Sequence, residues 1–106
     1  MFVPNAAQAV IADSKVTDYL LKHPGKAKFF LGFGFTLAQW QGLRDALLRH
    51  VVAHEYVKHI LLADGVKYVV EGTLQSPDGR NPQVRSVWMI DGGRSYPRLI
   101  TAYALN

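Results

Sequence analysis

The sequence predicts an α+β fold, with N-terminal helices packed on one face of a C-terminal antiparallel β-meander and residues 1–106 forming one domain. Two observations predict it. Apolar residues recur at spacings of three and four through the first half, as at Leu37, Trp40, Leu43, Leu47 and Val51. After Asp64-Gly65 the spacing changes to two, and glycine and proline punctuate each gap as hairpins require.

Each element has its own local signal. "QAVIAD" reads as a short strand or a turn of helix. Ser14 is the expected N-cap of the helix "KVTDYLLK", which ends at His23-Pro24-Gly25 because proline disfavours helix in the residue before it. "GKAKFFLGFGF" follows as a helix, with Phe29, Phe30 and Phe33 at helical spacing, closed by Gly32 and Gly34. Thr36 and Gln39 form a capping box for one long helix, "LAQWQGLRDALLRHVVAHEYVKHIL". Three strands complete the chain: "VKYVVEGTL", "QVRSVWMID" and "PRLITAYAL", joined by "SPDGRNP" and "GGRSY".

Helices cover one face of such a sheet and leave the other open. Alternation turns Tyr68, Val70 and Trp88 toward the helices. It gathers Lys67, Glu71, Thr73, Arg85, Thr101 and Tyr103 on the open face. Simple alternation sends Arg98 to the opposite side, with Leu99 beside Thr101, so Arg98 joins that face only through a bulge or an edge position.

Composition narrows the function classes. Hydrophobic residues make up 49% of the chain and charged residues 19%, as in a globular domain. No apolar run approaches the roughly 20 residues that span a bilayer, so no membrane partner is expected. "MFVPNAAQAV" lacks the basic and apolar regions of a secretory signal. There are no cysteines, which removes disulfides, a cysteine nucleophile and thiolate metal ligands, and is compatible with a cytoplasmic location. Twelve Lys and Arg against eight Asp and Glu give a net charge of +4, which suits a polyanion such as RNA.

The open face carries the residue types that RNA cleavage through the 2′-hydroxyl needs: a base, hydrogen-bond donors and a cation. Glu71 can act as the base or orient one. Arg85 can clamp the phosphate in two places, and Thr101 and Tyr103 can hydrogen-bond it. The bland alternative is a solvated face with a cross-strand ion pair. Of four histidines, His23, His50, His54 and His59, one can act in proton transfer, and His50 and His54, at i and i+4 on one helix face, are put forward. The same spacing can hold zinc, but Glu55 follows the pair and no HExxH order exists, so no metal or other cofactor is expected. Gly25, Lys26 and Lys28 at a helix start can meet a phosphate, although the Walker pattern is absent. Lys26, Lys28, Lys67 and Arg98 are the candidate substrate-binding cations.

Several stretches taken together resemble a known family: "PNAAQAVI", "YLLKHPGKAKFFLGFGF", "GVKYVVEGTLQSPDGRNPQVRSVWMIDGG" and "PRLITAY". The family is a small bacterial domain of unknown function, found as stand-alone proteins and at the C-termini of phage-head and polymorphic-toxin proteins. Its pattern includes His-Pro, Lys-Ala, Gly-Phe, a Val-x-x-x-Trp strand and Pro-Arg-Leu-Ile-Thr-Ala-Tyr. The stretch "KHPGKA" is shorter here than in the family. The resemblance implies a toxin paired with a small acidic antitoxin or immunity protein. In outline such a fold is similar to the barnase-, EndoU- and RelE-like metal-independent ribonucleases, which is an analogy of fold. The expected function is therefore a ribonuclease toxin. The alternatives are a non-catalytic protein-interaction module and a nucleic-acid-binding accessory domain.

Overall fold

In the computed structural model, residues 1–105 are described. The chain runs through a 3-10 turn (Ala6–Gln8), a π-helix (Lys15–Leu20), helix α1 (Pro24–Gly32), helix α2 (Gln41–Ala53) and four strands. These are β1 (Tyr56–Leu62), β2 (Gly65–Thr73), β3 (Gln83–Asp91) and β4 (Arg98–Ala104). The strands pair antiparallel in the order β1-β2-β3-β4, so the α+β architecture is as the sequence predicts.

The largest departure is β1. The long helix expected from Leu37 onward stops at Ala53, and His54 already has extended dihedrals (φ −121°, ψ 141°). "YVKHILL" is rich in aromatic and β-branched residues, which suit a strand, and it folds back through Ala63-Asp64 so that Leu62 faces Gly65. The meander therefore has four strands instead of three. At the other end of the expected helix, Leu37 is 46% exposed and lies outside α2. Thr36 accepts the Gln39 amide at 3.1 Å, but in a turn that precedes the helix. Ser14 is a second correction: its backbone is already helical and its side chain caps nothing. "QAVIAD" takes the extended form, with Val10 bridging in parallel to Arg98.

The core lies between the helices and one sheet face. Val16 and Leu20 of the π-helix, Phe30 of α1 and Leu43, Leu47 and Val51 of α2 are fully buried. They meet Val70, Val84, Trp88, Leu99 and Ala102 from the sheet. Burying a side chain of this size contributes about 1.5–3 kcal/mol.

A bulge in β4 sets the register of the site. Val87 faces Thr101 but Trp88 faces Leu99, so Ile100 is the extra residue. Leu99 thereby turns into the core, correcting its expected place beside Thr101, and Arg98 comes opposite Met89. No helix among the described residues is long and apolar enough to cross a membrane.

Candidate active site

The sheet face turned away from α2 forms a shallow concavity of about 330 Å³. Its lining includes Lys58 and Ile60 of β1, Lys67, Val69 and Glu71 of β2, Arg85 and Val87 of β3, and Tyr103 of β4. Arg85 sits on a central strand, directly opposite Glu71 on one side and Tyr103 on the other. Its Nε donates to Glu71 Oε2 at 2.7 Å, and Nη2 lies 2.6 Å from the same oxygen. Nη1 reaches the Tyr103 hydroxyl at 3.5 Å, and the guanidinium carbon lies 5.6 Å from the centre of that ring. The Tyr103 hydroxyl and then the Glu71 carboxylate raise the Arg85 pKa further, so the cation is permanent. Both members of the ion pair remain partly exposed, so water screens it and its contribution to folding is small.

Thr101 accompanies them from β4. Its hydroxyl and that of Tyr19 on the π-helix lie 3.0 Å apart. That hydrogen bond lowers the Tyr19 pKa, opposed by burial and assisted by the charges of Lys26 and Lys15. Lys26 lies 5.6 Å from the Tyr19 ring and 5.4 Å from the Tyr103 ring, so it caps the same aromatic wall. Beyond Tyr103 a smaller concavity of about 260 Å³ is lined by His23, Gly25, Lys26 and Phe29.

The expected site residues thus divide. Glu71, Arg85 and Tyr103 are in contact, with Thr101 on the same face and Lys26 and Lys67 at its margins. Arg98 reaches this face through the bulge, but its Nε and Nη2 are held by the two oxygens of Asp91 at 2.7 and 3.1 Å. Lys28 is exposed on α1, about 200° round the helix from Lys26. Thr73 lies at the end of β2 and accepts from Gln83.

His50 and His54 lie behind the sheet. His50 is 2% exposed and packed among core residues. Nε2 is 3.0 Å from the Gly72 carbonyl and Nδ1 is 2.9 Å from Ser86 Oγ, which also accepts from Trp88 Nε1 at 2.8 Å. One proton arrangement satisfies every group. Trp88 N–H donates to Ser86, Ser86 O–H donates to His50 Nδ1, and His50 Nε2–H donates to Gly72. The imidazole is neutral in that arrangement, and burial lowers its pKa to about 4. His54 stacks edge-on against it with ring centres 4.9 Å apart, and its Nε2 donates to the Thr73 carbonyl at 2.8 Å. A Cβ at Gly72 would lie 2.6 Å from the His54 ring, so the missing side chain is what lets the imidazole lie on the strand. His54 also borders a larger, mainly apolar groove of about 710 Å³ between α2, the Ala6–Gln8 turn and the β2–β3 loop. Among the described residues no group of three or more His, Cys, Asp or Glu is placed to hold a metal ion.

Sequence reasoning missed Val57, Lys58 and Ile60 because they lie on the unforeseen strand. It also missed Tyr19, which approaches from the π-helix, and it did not single out His23, at the start of α1, from the other histidines. The Asp64-Gly65 pair, with apolar residues on both sides, was the hairpin signal available for β1.

Residues 2–106 match the family described as "Domain of unknown function (DUF6883)". The chain belongs to that family. No curated protein matches this DUF6883 chain. Among solved structures it is similar to a chain of a contact-dependent growth inhibition toxin–immunity protein complex from Klebsiella pneumoniae 342. That similarity has a TM-score of 0.76 at 18% identity and covers 95% of the DUF6883 chain and 97% of the other. At such identity the likeness is one of fold.

Proposed function

We propose that this chain is a toxin that cleaves RNA without a metal ion, in the cytoplasm, and is restrained by a small acidic immunity or antitoxin protein. The observation that carries the proposal is Arg85, held between Glu71 and Tyr103 on the floor of a concave, lysine-rimmed sheet face. The fold shared with a chain of a toxin–immunity complex supports the toxin part of the reading.

The chemistry follows from the residue types. Glu71 accepts the proton of a ribose 2′-hydroxyl, and the 2′ oxygen attacks phosphorus. Arg85 turns its donors onto the non-bridging oxygens as charge gathers there, with Tyr103 and Thr101 adding hydrogen bonds. The bond from phosphorus to the 5′ oxygen breaks, leaving a 2′,3′-cyclic phosphate and a 5′-hydroxyl. His23 is the histidine that shares the Tyr103 wall, and it supplies the proton to the leaving oxygen. His50 and His54 act as supports behind the sheet in this mechanism, since alternation places them on the face opposite Glu71 and Arg85. A protein-docking face would need Val69, Val87 and Met89 exposed; Val87 and Met89 are only 7% and 5% exposed and Val69 is half-buried, which favours the catalytic reading.

The test is induced expression in bacteria, with and without a neighbouring gene for a small acidic protein. Growth arrest with RNA fragments ending in 2′,3′-cyclic phosphate, relieved by the neighbour, is the expected result. Normal growth with intact RNA overturns the proposal.

A further inference from the structure

The two edges of the sheet are treated differently by the fold. The outer edge of β4 is covered. Val10 bridges to it, with the Val10 amide donating to Pro97 at 2.9 Å and the Leu99 amide to Val10 at 3.1 Å. The π-helix packs alongside through Tyr19 and Thr101. Among the described residues only the first residue of β1 is covered, where the Tyr56 amide donates to the Met1 carbonyl at 3.0 Å. From Val57 to Leu62, about 20 Å of extended backbone, β1 pairs on its inner side alone. Val57, Leu61 and Leu62 on it are 58%, 76% and 44% exposed. A bare, apolar edge of this length invites another strand.

We propose that this edge docks an extended, acidic segment of a partner protein, which adds to β1 as a fifth strand. Charge selects the occupant. Lys58 and His59 are exposed on β1, and Lys67 stands opposite Ile60 on its neighbour. A second copy of this net +4 chain would bring like charges together, whereas a carboxylate on the added strand meets Lys58 across the new ladder and is attracted by Lys67 one strand further in. Backbone hydrogen bonds supply the register, and side chains on one face of the added strand supply specificity. Position gives the added strand a consequence: Val57, Lys58 and Ile60 line the same concavity as Glu71 and Arg85. The outward side chains of a fifth strand raise the β1 rim of that concavity and hinder the approach of RNA from that side. This partner is the immunity protein of the proposed function, and the inference rests on that reading for its biological role.

The test uses a seven-residue peptide of alternating glutamate and valine, blocked at both ends, added to the isotope-labelled full chain. Amide resonances from Tyr56 to Leu62 shift, and RNA cleavage slows as the peptide is added. Methylating alternate peptide amides removes the shifts by deleting ladder donors. Replacing glutamate by lysine weakens binding at least tenfold, and so does Leu61→Glu, which leaves melting unchanged. Four results overturn the inference: no shifts at millimolar peptide, shifts centred on β4 or α2, equal binding of the lysine peptide, or a dimer of the chain alone that protects β1. Binding at β1 by a chain that cuts no RNA sinks the ribonuclease and leaves the docking edge standing. Cleavage without binding at β1 does the reverse.

Discussion

At His50 the protein holds a titratable ring in a place with no room for its charge. The neutral ring is satisfied on both nitrogens, and burial lowers its pKa to about 4, against the usual 6.5. A depressed pKa means that the unfolded chain binds the proton first. Stability is therefore full above pH 6.5 and falls as the pH drops toward 4, by about 3 kcal/mol over that window. Urea denaturation at steps from pH 7 to 4 measures the loss, and His50→Gln flattens the curve by about one proton. Gly72 offers a second residue-level test. Gly72→Ala drives a Cβ into the His54 ring, expels it from the Thr73 carbonyl and costs about 1–3 kcal/mol. A mutant that melts normally with the His54 resonances unmoved contradicts this account. The sequence shows a histidine pair at helical spacing, but spacing alone does not say which side of a sheet the pair meets. Ser86 and Gly72, far along the chain, decide that.

Among the elements, the strands from Gly65 onward were legible because glycine and proline separate the period-two runs. β1 was not legible, because the apolar spacing Leu43, Leu47, Val51 continues smoothly and neither glycine nor proline breaks the chain between Ala53 and Tyr56. The β4 bulge was equally hidden, since simple alternation cannot show an inserted residue. It is nevertheless what puts Arg98 opposite Met89 and Leu99 against Trp88. Deleting Ile100, the extra residue, should leave Leu99 opposite Trp88 and Thr101 opposite Val87 in an unbulged ladder. The expected cost is under about 1 kcal/mol, read as a nearly unchanged urea midpoint. A midpoint lowered by the roughly 2–5 kcal/mol of a lost buried leucine would mean that the register slips and Leu99 leaves the core.

Over the whole molecule, the helices guard one sheet face and leave a basic, concave one whose central feature, Arg85 opposite Glu71, could be read from alternation alone. The wall formed by Tyr19, His23 and Lys26 could not, because it depends on how the N-terminal elements wrap the β4 edge. Chelator should change neither melting nor cleavage, since the proposed chemistry uses only side chains; a melting point several degrees lower after chelation would point to a bound metal. RNA binding should weaken steeply with added salt, as a lysine-rimmed face predicts. The most direct test is cleavage of purified RNA by the wild-type chain and by Arg85→Ala, with circular dichroism melts of both. Arg85 makes a screened surface pair in the fold but a charge-assisted clamp in the transition state. The mutant should melt almost as the wild type does and lose cleavage by about 10²–10³-fold or more. A folded Arg85→Ala chain that cuts RNA at the wild-type rate would contradict the account.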